Sequence, residues 1–202
     1  YRWVFSNELS PEGLPREPGL VHVLDDRGSF RGVATYNPRS LIAVRILTRA
    51  RRDTIDTGFF AGRLRDAVER RRRLAYDTAF CRIVYGESDG IPGLVVDRYG
   101  SVSAVQYFSA GIQALTRCVV EAVAEVLDPD VVVARNDVAL RAYEGLDEHR
   151  EVLLSRSGGV AGTVVTIEHL GARYVVDVMS GHKTGFYYDQ RENRRYCSTV
   201  AA

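Results

Sequence analysis

The sequence predicts an α+β fold in which a small β-barrel is followed by a connecting helix and a second domain of strands around one helix. Three observations predict it. Short apolar runs broken by turn residues fill residues 1–48, a helical period occupies 56–76, and strand patterns return from Phe80 onwards. With 46% apolar residues among 202, the chain can bury a substantial core.

Residues 1–52 are predicted to form the barrel. The runs WVF, LVHVL and LIAVRIL alternate with turn residues, and the turn DDRG around Gly28 lies between apolar positions at Val23 and Phe30. This pattern indicates a strand, a turn and a second strand. Several short strands within fifty residues are typical of a small β-barrel.

Residues 53–77 are predicted to form a basic connecting helix with one apolar face. Successive residues are about 100° apart around a helix, so the four arginines at 70–73 cannot share a face. We expect Arg63 and Arg70 to contact a nucleic-acid backbone. The alternative is a solvated face on which the arginines pair with Asp66 and Glu69.

Residues 78–178 are predicted to form the α+β central domain. The runs FCRIVYGE, LVVDRYG and SVSAVQYF alternate with turns, and an amphipathic helix spans residues 111–127 before Asp128 and Pro129 end it. VVVARND then gives another strand. TVVTIEHLG and ARYVVDVMS give a hairpin, so strands lie on both sides of one helix.

Charge is distributed unevenly along the chain. Residues 1–73 contain 15 arginines against 9 acidic residues, a net of +6, whereas the remainder has 12 basic and 17 acidic residues. A basic front half suits a polyanionic partner. Lys183 is the only lysine. The preference for arginine reflects either base composition or a need for forked contacts to phosphate.

Cysteine spacing and hydropathy exclude several classes of protein. Cys81, Cys118 and Cys197 form no pair or metal-binding spacing, so we expect no metal site and interpret them as buried or incidental thiols. No apolar run reaches the length of a membrane span and no leader is recognisable. We therefore expect a soluble, cytoplasmic protein with no membrane partner.

The densest group of functional residues is the run from Gly181 to Arg195. Two glycines, three aromatics, two carboxylates and several cationic side chains suit recognition of a charged, partly aromatic ligand. Gly185 would allow close backbone approach, and Asp189 would cap a helix that aligns its arginines in adjacent rows. The alternative is a linker followed by a solvated helix start.

This run also carries a resemblance to a known family. GHKTGFYYDQRENRR is similar to a motif of HKTG, an aromatic pair, DQR and a further arginine. That motif stands just ahead of the cofactor loop in class I bacterial S-adenosylmethionine-dependent methyltransferases acting on carbon 5 of cytosine in large-subunit ribosomal RNA. WVFSNEL and YNPRSLIAVRIL resemble the N-terminal PUA domain of that family. CRIVYGESDGIPGLVVDRYG and AVQYFSAGI resemble its central α/β domain.

The resemblance implies a PUA-like RNA-binding barrel, a central domain, and in residues 179–202 only the start of a Rossmann-like methyltransferase domain. It implies S-adenosylmethionine as cofactor and ribosomal RNA as partner. The residues expected to bind the cofactor are Phe186, Tyr187, Asp189, Gln190 and Arg191. The residues expected to contact RNA are Arg2, Trp3, Arg45, Arg63, Arg70, Lys183 and Arg194, although Trp3 could equally belong to the core.

The first functional hypothesis is that the chain is the N-terminal fragment of such a methyltransferase. The chain begins with Tyr1 and ends within a basic helical pattern, and the family's glycine-rich turn and nucleophilic cysteine would follow residue 202. We expect no catalytic residue here and no activity from the chain alone. The alternatives are a stand-alone RNA-binding module without catalytic activity and a structural homodimer that has lost RNA affinity.

Overall fold

The computed structural model describes residues 2–156 and 162–200 and shows an α+β fold. An N-terminal antiparallel sheet packs beside a central five-stranded sheet. Two helices cover one face of the central sheet and a hairpin covers part of the other. The strands are β1 (Trp3–Val4), β2 (Gly19–Leu24), β3 (Phe30–Tyr36), β4 (Val44–Thr48), β5 (Phe80–Tyr85), β6 (Leu94–Tyr99), β7 (Val102–Tyr107), β8 (Val131–Arg135), β9 (Arg150–Ser155), β10 (Val164–His169) and β11 (Ala172–Asp177). The helices are α1 (Thr57–Arg73), α2 (Ala110–Gln113), α3 (Thr116–Leu127) and α4 (Arg191–Val200).

The N-terminal sheet has the strand order β1-β4-β3-β2, with every pair antiparallel. Strands β2 and β3 form the predicted strand–turn–strand around Gly28. Ala34, Tyr36, Val44 and Ile46 form its buried cluster. The residues of this small core all come from the N-terminal sheet, whereas Val33 and Leu47 of the same sheet pack into the main core with α1 and the central sheet.

Helix α1 confirms the predicted basic helix. The carboxylate of Asp56 accepts a hydrogen bond from the Phe59 amide and so caps its N-terminus. Phe60, Leu64 and Ala67 are fully buried and pack against the central sheet and α3. The arginines near its end lie on the remaining, mostly exposed sides of the helix.

The central sheet has the order β5-β6-β7-β8-β9, and only β7 and β8 are parallel among the strand pairs of residues 2–156. The predicted single helix over 111–127 is wrong in one respect, because it is divided into α2 and α3. Gly111 of α2 lies against β3, where a Cβ would come within 2.6 Å of Thr35. Contact with the N-terminal sheet therefore sets the position of α2. Strand β9 was not predicted.

The hairpin of β10 and β11 confirms the sequence prediction. Its two-residue turn places Leu170 and Gly171 in the left-handed region, with φ of 54° and 76°. Ile167 and Val176 pack on the face of the central sheet opposite α1 and α3, which we call the outer face. The hairpin covers one end of this face, and a cavity lies over the other, which we call the open end.

A buried carboxylate joins the two sheets. Glu144 is 5% exposed, and its Oε1 accepts hydrogen bonds from Ser40 Oγ at 2.5 Å and Arg45 Nη2 at 2.7 Å. Its Oε2 accepts from Asn37 Nδ2 at 2.8 Å and from the Ala110 amide at 3.3 Å. A buried charge is tolerated when it is paired and hydrogen-bonded in this way. The N-terminal sheet is thus fixed to the central domain.

Candidate functional site

Residues 178–189, which we call the bridging segment, cross the outer face between its covered and open ends. Thr184 lies at the centre of the segment and is fully buried. Its hydroxyl donates to Asp97 Oδ2 and lies 2.9 Å from the hydroxyl of Tyr99. The motif threonine therefore anchors the segment to β6.

Asp97 is the electrostatic centre of this anchor. The carboxylate is fully buried and accepts two hydrogen bonds from Arg82, at 2.7 Å from Nε and 2.9 Å from Nη2. Burial opposes the charge of Arg82, but its hydrogen bonds to Asp97 hold the pKa of the guanidinium above its ordinary value. The pair is bidentate, so it fixes the orientation of Arg82 as well as its charge.

Arg135 holds the start of the bridging segment from β8. Its side chain is buried and donates to the carbonyl of Val178 at 2.5 Å and to that of Gly181 at 2.6 Å. Nε donates to Asp137 Oδ1 at 3.0 Å, which balances the charge. These contacts leave the segment little freedom, because its backbone and its central side chain are both bound to the sheet.

The aromatic residues of the motif face in opposite directions. Phe186 packs inward against Tyr174 and Tyr188, at ring-centroid distances of 5.2 and 5.4 Å, and the guanidinium of Arg194 lies 4.4 Å above its ring. Tyr187 instead faces solvent, with Lys183 Nζ 4.4 Å from its ring centroid. Of these two aromatic residues, only Tyr187 is exposed and can contact a ligand.

The predicted cap at Asp189 is not observed. A 3-10 turn over Tyr188–Gln190 precedes α4, and α4 begins at Arg191. The Asp189 carboxylate lies 3.0 Å from Lys183 Nζ, and this hydrogen bond holds its pKa below the ordinary range. The acidic side chain is engaged by the only lysine of the chain instead of capping the helix.

Two clefts lie on either side of the bridging segment. The first, which we call the Tyr76 cleft, has a volume of about 690 Å³ and lies between the end of α1, β5 and the hairpin turn. Arg191 lies in its wall, with its guanidinium 4.5 Å from the Tyr76 ring centroid, and Asp189 lines it as well. Burial, together with the charges of Arg194 and Arg191, lowers the pKa of His169 in the same cleft.

The second cleft, which we call the Gln106 pocket, has a volume of about 580 Å³ and lies between the bridging segment and the N-terminal sheet. Trp3 and Lys183 both line it. Arg82 and Tyr85 line both clefts, so the two cavities adjoin at these side chains. Each cleft has a size typical of ligand sites.

The thiols do not supply a nucleophile to the Tyr76 cleft. Cys81 lines that cleft but is buried, and burial raises its pKa to about 12, so the thiol stays protonated at neutral pH. Cys118 is partly buried on α3 and Cys197 is exposed on α4. Within residues 2–156 and 162–200, no group of three or more His, Cys, Asp and Glu side chains is placed to hold a metal.

Residues 1–49 match the sequence profile of a PUA-like domain. The chain is also 41% identical over 197 residues to ribosomal RNA large subunit methyltransferase I of Alteromonas mediterranea, covering 95% of this chain and 48% of that protein. The protein of the same name from Photobacterium profundum is 38% identical over 197 residues, covering 96% and 49%. The chain thus spans about half the length of the curated relatives it matches.

Solved structures show the same fold at lower identity. A proposed SAM-dependent methyltransferase from Streptococcus mutans superposes with a TM-score of 0.74 at 17% identity, over 96% of this chain and 49% of that one. A proposed methyltransferase complexed with SAH gives the same TM-score and identity over 96% and 48%. At this level of identity, the likeness establishes the fold.

The PUA-like domain brings some of the residues predicted to contact RNA to one place. Trp3 and Arg45 of this domain line the Gln106 pocket, as does Lys183 of the bridging segment. Arg45 is nevertheless largely buried and paired with Glu144, so its charge is balanced within the protein. Arg2 donates to the carbonyl of Leu47 at 3.4 Å and contributes to neither cleft.

The arginines of α1 contact different groups within the protein, and nothing in the structure tests whether they contact RNA. Arg70 and Arg71 both bind the buried carboxylate of Asp89, and only Arg73 pairs with Glu69 as expected for a solvated face. Arg63 instead stacks on Phe59, with its guanidinium 5.2 Å from the ring centroid. Arg70 therefore holds the turn after β5 in place, and its side chain is 47% exposed.

Sequence reasoning missed the polar residues that organise the site. These are Asp97, Gln106, Arg135 and Glu144, all buried. A signal was available, because Asp97, Gln106 and Arg135 each lie within a mostly apolar strand, in LVVDRY, VSAVQY and VVVAR. Buried polar side chains need hydrogen-bond partners, so a polar residue within an apolar strand indicates that another group binds it there.

Proposed function

We propose that this chain is the RNA-docking part of an S-adenosylmethionine-dependent ribosomal RNA methyltransferase that acts on carbon 5 of cytosine. The observation that carries this proposal is the similarity to curated relatives named ribosomal RNA large subunit methyltransferase I, which extends over 95% of the chain. We also propose that the protein works in the cytoplasm, where bacterial ribosomal RNA is available.

The residues at the end of the bridging segment fit one part of the cofactor. Asp189 and Arg191 line the Tyr76 cleft with charges of opposite sign, which match the ammonium and carboxylate of the methionine end of S-adenosylmethionine. Tyr187 and Gln190 are exposed beside them. Phe186 packs inward, so its contribution is to support the guanidinium of Arg194. When bound, the cofactor supplies an electrophilic methyl group.

Arg194 lines neither cleft but carries buried donors without partners among the described residues. Its Nε and Nη2 are buried and have no hydrogen-bond partner within the part of the chain that the structure describes, while Nη1 donates to the Tyr187 carbonyl at 2.7 Å. Buried unpaired donors are costly. A carboxylate or phosphate oxygen reaching this position would satisfy them.

We propose that the chain alone transfers no methyl group. Methylation at carbon 5 of cytosine needs a thiolate to attack carbon 6, and the thiol nearest the clefts, that of Cys81, stays protonated. The test is incubation of the chain with ribosomal RNA and methyl-labelled S-adenosylmethionine. We expect no label in the RNA, and incorporation above the level without protein would overturn this part of the proposal.

RNA docking itself is tested by binding. The chain should bind fragments of large-subunit ribosomal RNA with an affinity that falls as salt rises, because cations that contact phosphate release counterions. Lys183→Gln should weaken binding and flatten the salt dependence. Arg117→Gln removes one charge from exposed α3 on the opposite face of the sheet and is the matched control. Absence of binding at low salt would refute the proposed docking function.

A further inference from the structure

We infer that the Gln106 pocket binds an unpaired RNA base that carries an exocyclic amino group, as adenine, cytosine and guanine do and uracil does not. This inference rests on the proposed function, since it takes RNA as the ligand. It adds a second contact point for RNA, outside the segment that carries the cofactor motif.

The pocket contains one oriented acceptor. Gln106 is 5% exposed, and its Nε2 donates to the carbonyl of Arg135 at 2.8 Å. The opposite amide orientation would place two acceptors against each other, so this bond fixes which atom is the oxygen. Oε1 then remains as the acceptor on the pocket side, and the described residues offer it no donor. An exocyclic amino group is a donor that suits it.

Aromatic side chains form the walls at the height of a base. Trp3 is 41% exposed, and its ring is held by the bond from Nε1 to Glu87 Oε1 at 2.8 Å. Tyr85 is 57% exposed, and the guanidinium of Arg82 lies 5.5 Å from its ring centroid. Exposed aromatic rings that are already held in place are the usual platforms on which proteins stack unpaired RNA bases.

Arg45 also lines the pocket, but its charge is balanced by the buried Glu144, so the other cations, at the rim, matter most for RNA. Lys183 and Arg82 stand where the pocket adjoins the Tyr76 cleft. The charge of Arg82 is balanced by the buried Asp97, and Lys183 shares its charge with the exposed Asp189. Stacking and the hydrogen bond to Gln106, instead of net charge, therefore determine which base is held, and the rim cations face the connecting phosphates.

A single strand fits this site better than a duplex. The pocket is a cavity of about 580 Å³, the size for one base with its sugar. Bases within an A-form helix keep their amino edges paired and their faces stacked, so a protein reaches them only where the strand is unpaired. The same base chemistry is present in the adenine of S-adenosylmethionine, so the experiment must separate the two sources.

The experiment measures binding of short unpaired oligoribonucleotides to the whole chain by fluorescence anisotropy. One oligonucleotide has adenine or cytosine at its centre and the other is all uridine. The wild-type chain should prefer the amino-bearing base by about two- to tenfold, the range for one neutral hydrogen bond. Gln106→Met removes the acceptor at similar length and should abolish this preference.

Tyr85→Ala tests the stacking wall without disturbing the core. It should weaken binding of both oligonucleotides by at least about fivefold, because a stacked base contributes strongly to single-strand affinity. Tyr196→Ala removes an exposed tyrosine from α4 that lines neither cleft, and it should bind as the wild type does. Thermal unfolding of each variant shows whether the fold is retained, and Tyr85→Ala keeps the test valid if Gln106→Met does not fold.

Each outcome has a distinct meaning. Binding that Tyr85→Ala leaves unchanged would overturn the inference while the proposed function stands. Absence of RNA binding by the wild type would instead refute the docking function. Binding of S-adenosylmethionine that is lost in both Tyr85→Ala and Gln106→Met would overturn an RNA base as the ligand and assign the pocket to the adenine of the cofactor.

Discussion

The two ends of the outer face of the central sheet are built from the same strands but are used differently. At the covered end, Tyr99 and Val102 pack beneath Ile167 and Val176 of the hairpin. At the open end, Gln106 follows on the same side of β7 as Val102 and faces a cavity. The bridging segment separates the two. The difference teaches that hydrophobic burial fixes one half of the face, which leaves the other half free to present polar and aromatic groups.

The largest effect should come from the anchor between the two ends. Asp97→Asn leaves Arg82 without its charge partner in a largely buried position, and breaking such a pair costs about 3 to 5 kcal/mol in the free energy of unfolding. Urea denaturation measures it. Asp26→Asn makes the same change at an exposed position and should stay within about 0.5 kcal/mol. Equal stabilities for the two variants would show that the anchor contributes little.

A cavity at the covered end should have the next largest effect. Ile167→Ala shortens a fully buried side chain on the inner side of the hairpin and should reduce the free energy of unfolding by about 2 to 4 kcal/mol. Val175→Ala lies on the outer side of the same hairpin, where Val175 is 76% exposed, and should be nearly neutral. If the two variants unfold at the same urea concentration, the packing of Ile167 does not hold the hairpin on the sheet.

The hydroxyl of Thr184 should contribute less than either. Thr184→Val keeps the shape but loses the hydrogen bonds to Asp97 and Tyr99, and we expect a loss of about 2 kcal/mol because one partner is a buried charge. Thr184→Ser keeps the hydroxyl and should retain most of the stability. A serine variant as unstable as the valine variant would show that the methyl group matters and the hydroxyl does not.

The smallest effect should be the pH dependence contributed by His169. Burial, followed by the charges of Arg194 and Arg191, lowers its pKa in the folded state from 6.5. The unfolded chain therefore binds more protons than the folded chain below that pH, so stability falls as pH is lowered through about 6.5. His169→Asn should remove this component from a series of thermal melts. An unchanged pH profile for His169→Asn would contradict the assignment.

The elements that sequence predicted well are those with a local signal. Helix α1 and the hairpin of β10 and β11 follow from periodicity and turn residues within their own length. The close packing of α2 on the N-terminal sheet was missed, because Gly111 approaches Thr35, which is far away in sequence. No periodicity encodes a contact of that kind.

The candidate site was predicted in part for the same reason. The motif from His182 to Arg191 was recognisable because its residues are consecutive. The partners that hold it, Asp97 and Arg135, lie on two separate strands and read as ordinary strand residues. Arg45 was expected to contact RNA, yet its partner Glu144 is 99 residues away along the chain. Whether the charge of an arginine is balanced within the protein depends on acidic residues that are distant along the chain.

The junction at Glu144 has a consequence for how RNA would be positioned. Its carboxylate is shared by Asn37, Ser40 and Arg45 of the PUA-like domain and by the Ala110 amide of the central domain. Rotating the domains apart would leave several buried donors without an acceptor at the same time. The two units should therefore move together, so an RNA strand docked as we propose would meet both at a fixed distance from each other. The junction would then fix the spacing along the RNA between the nucleotides that contact the two units.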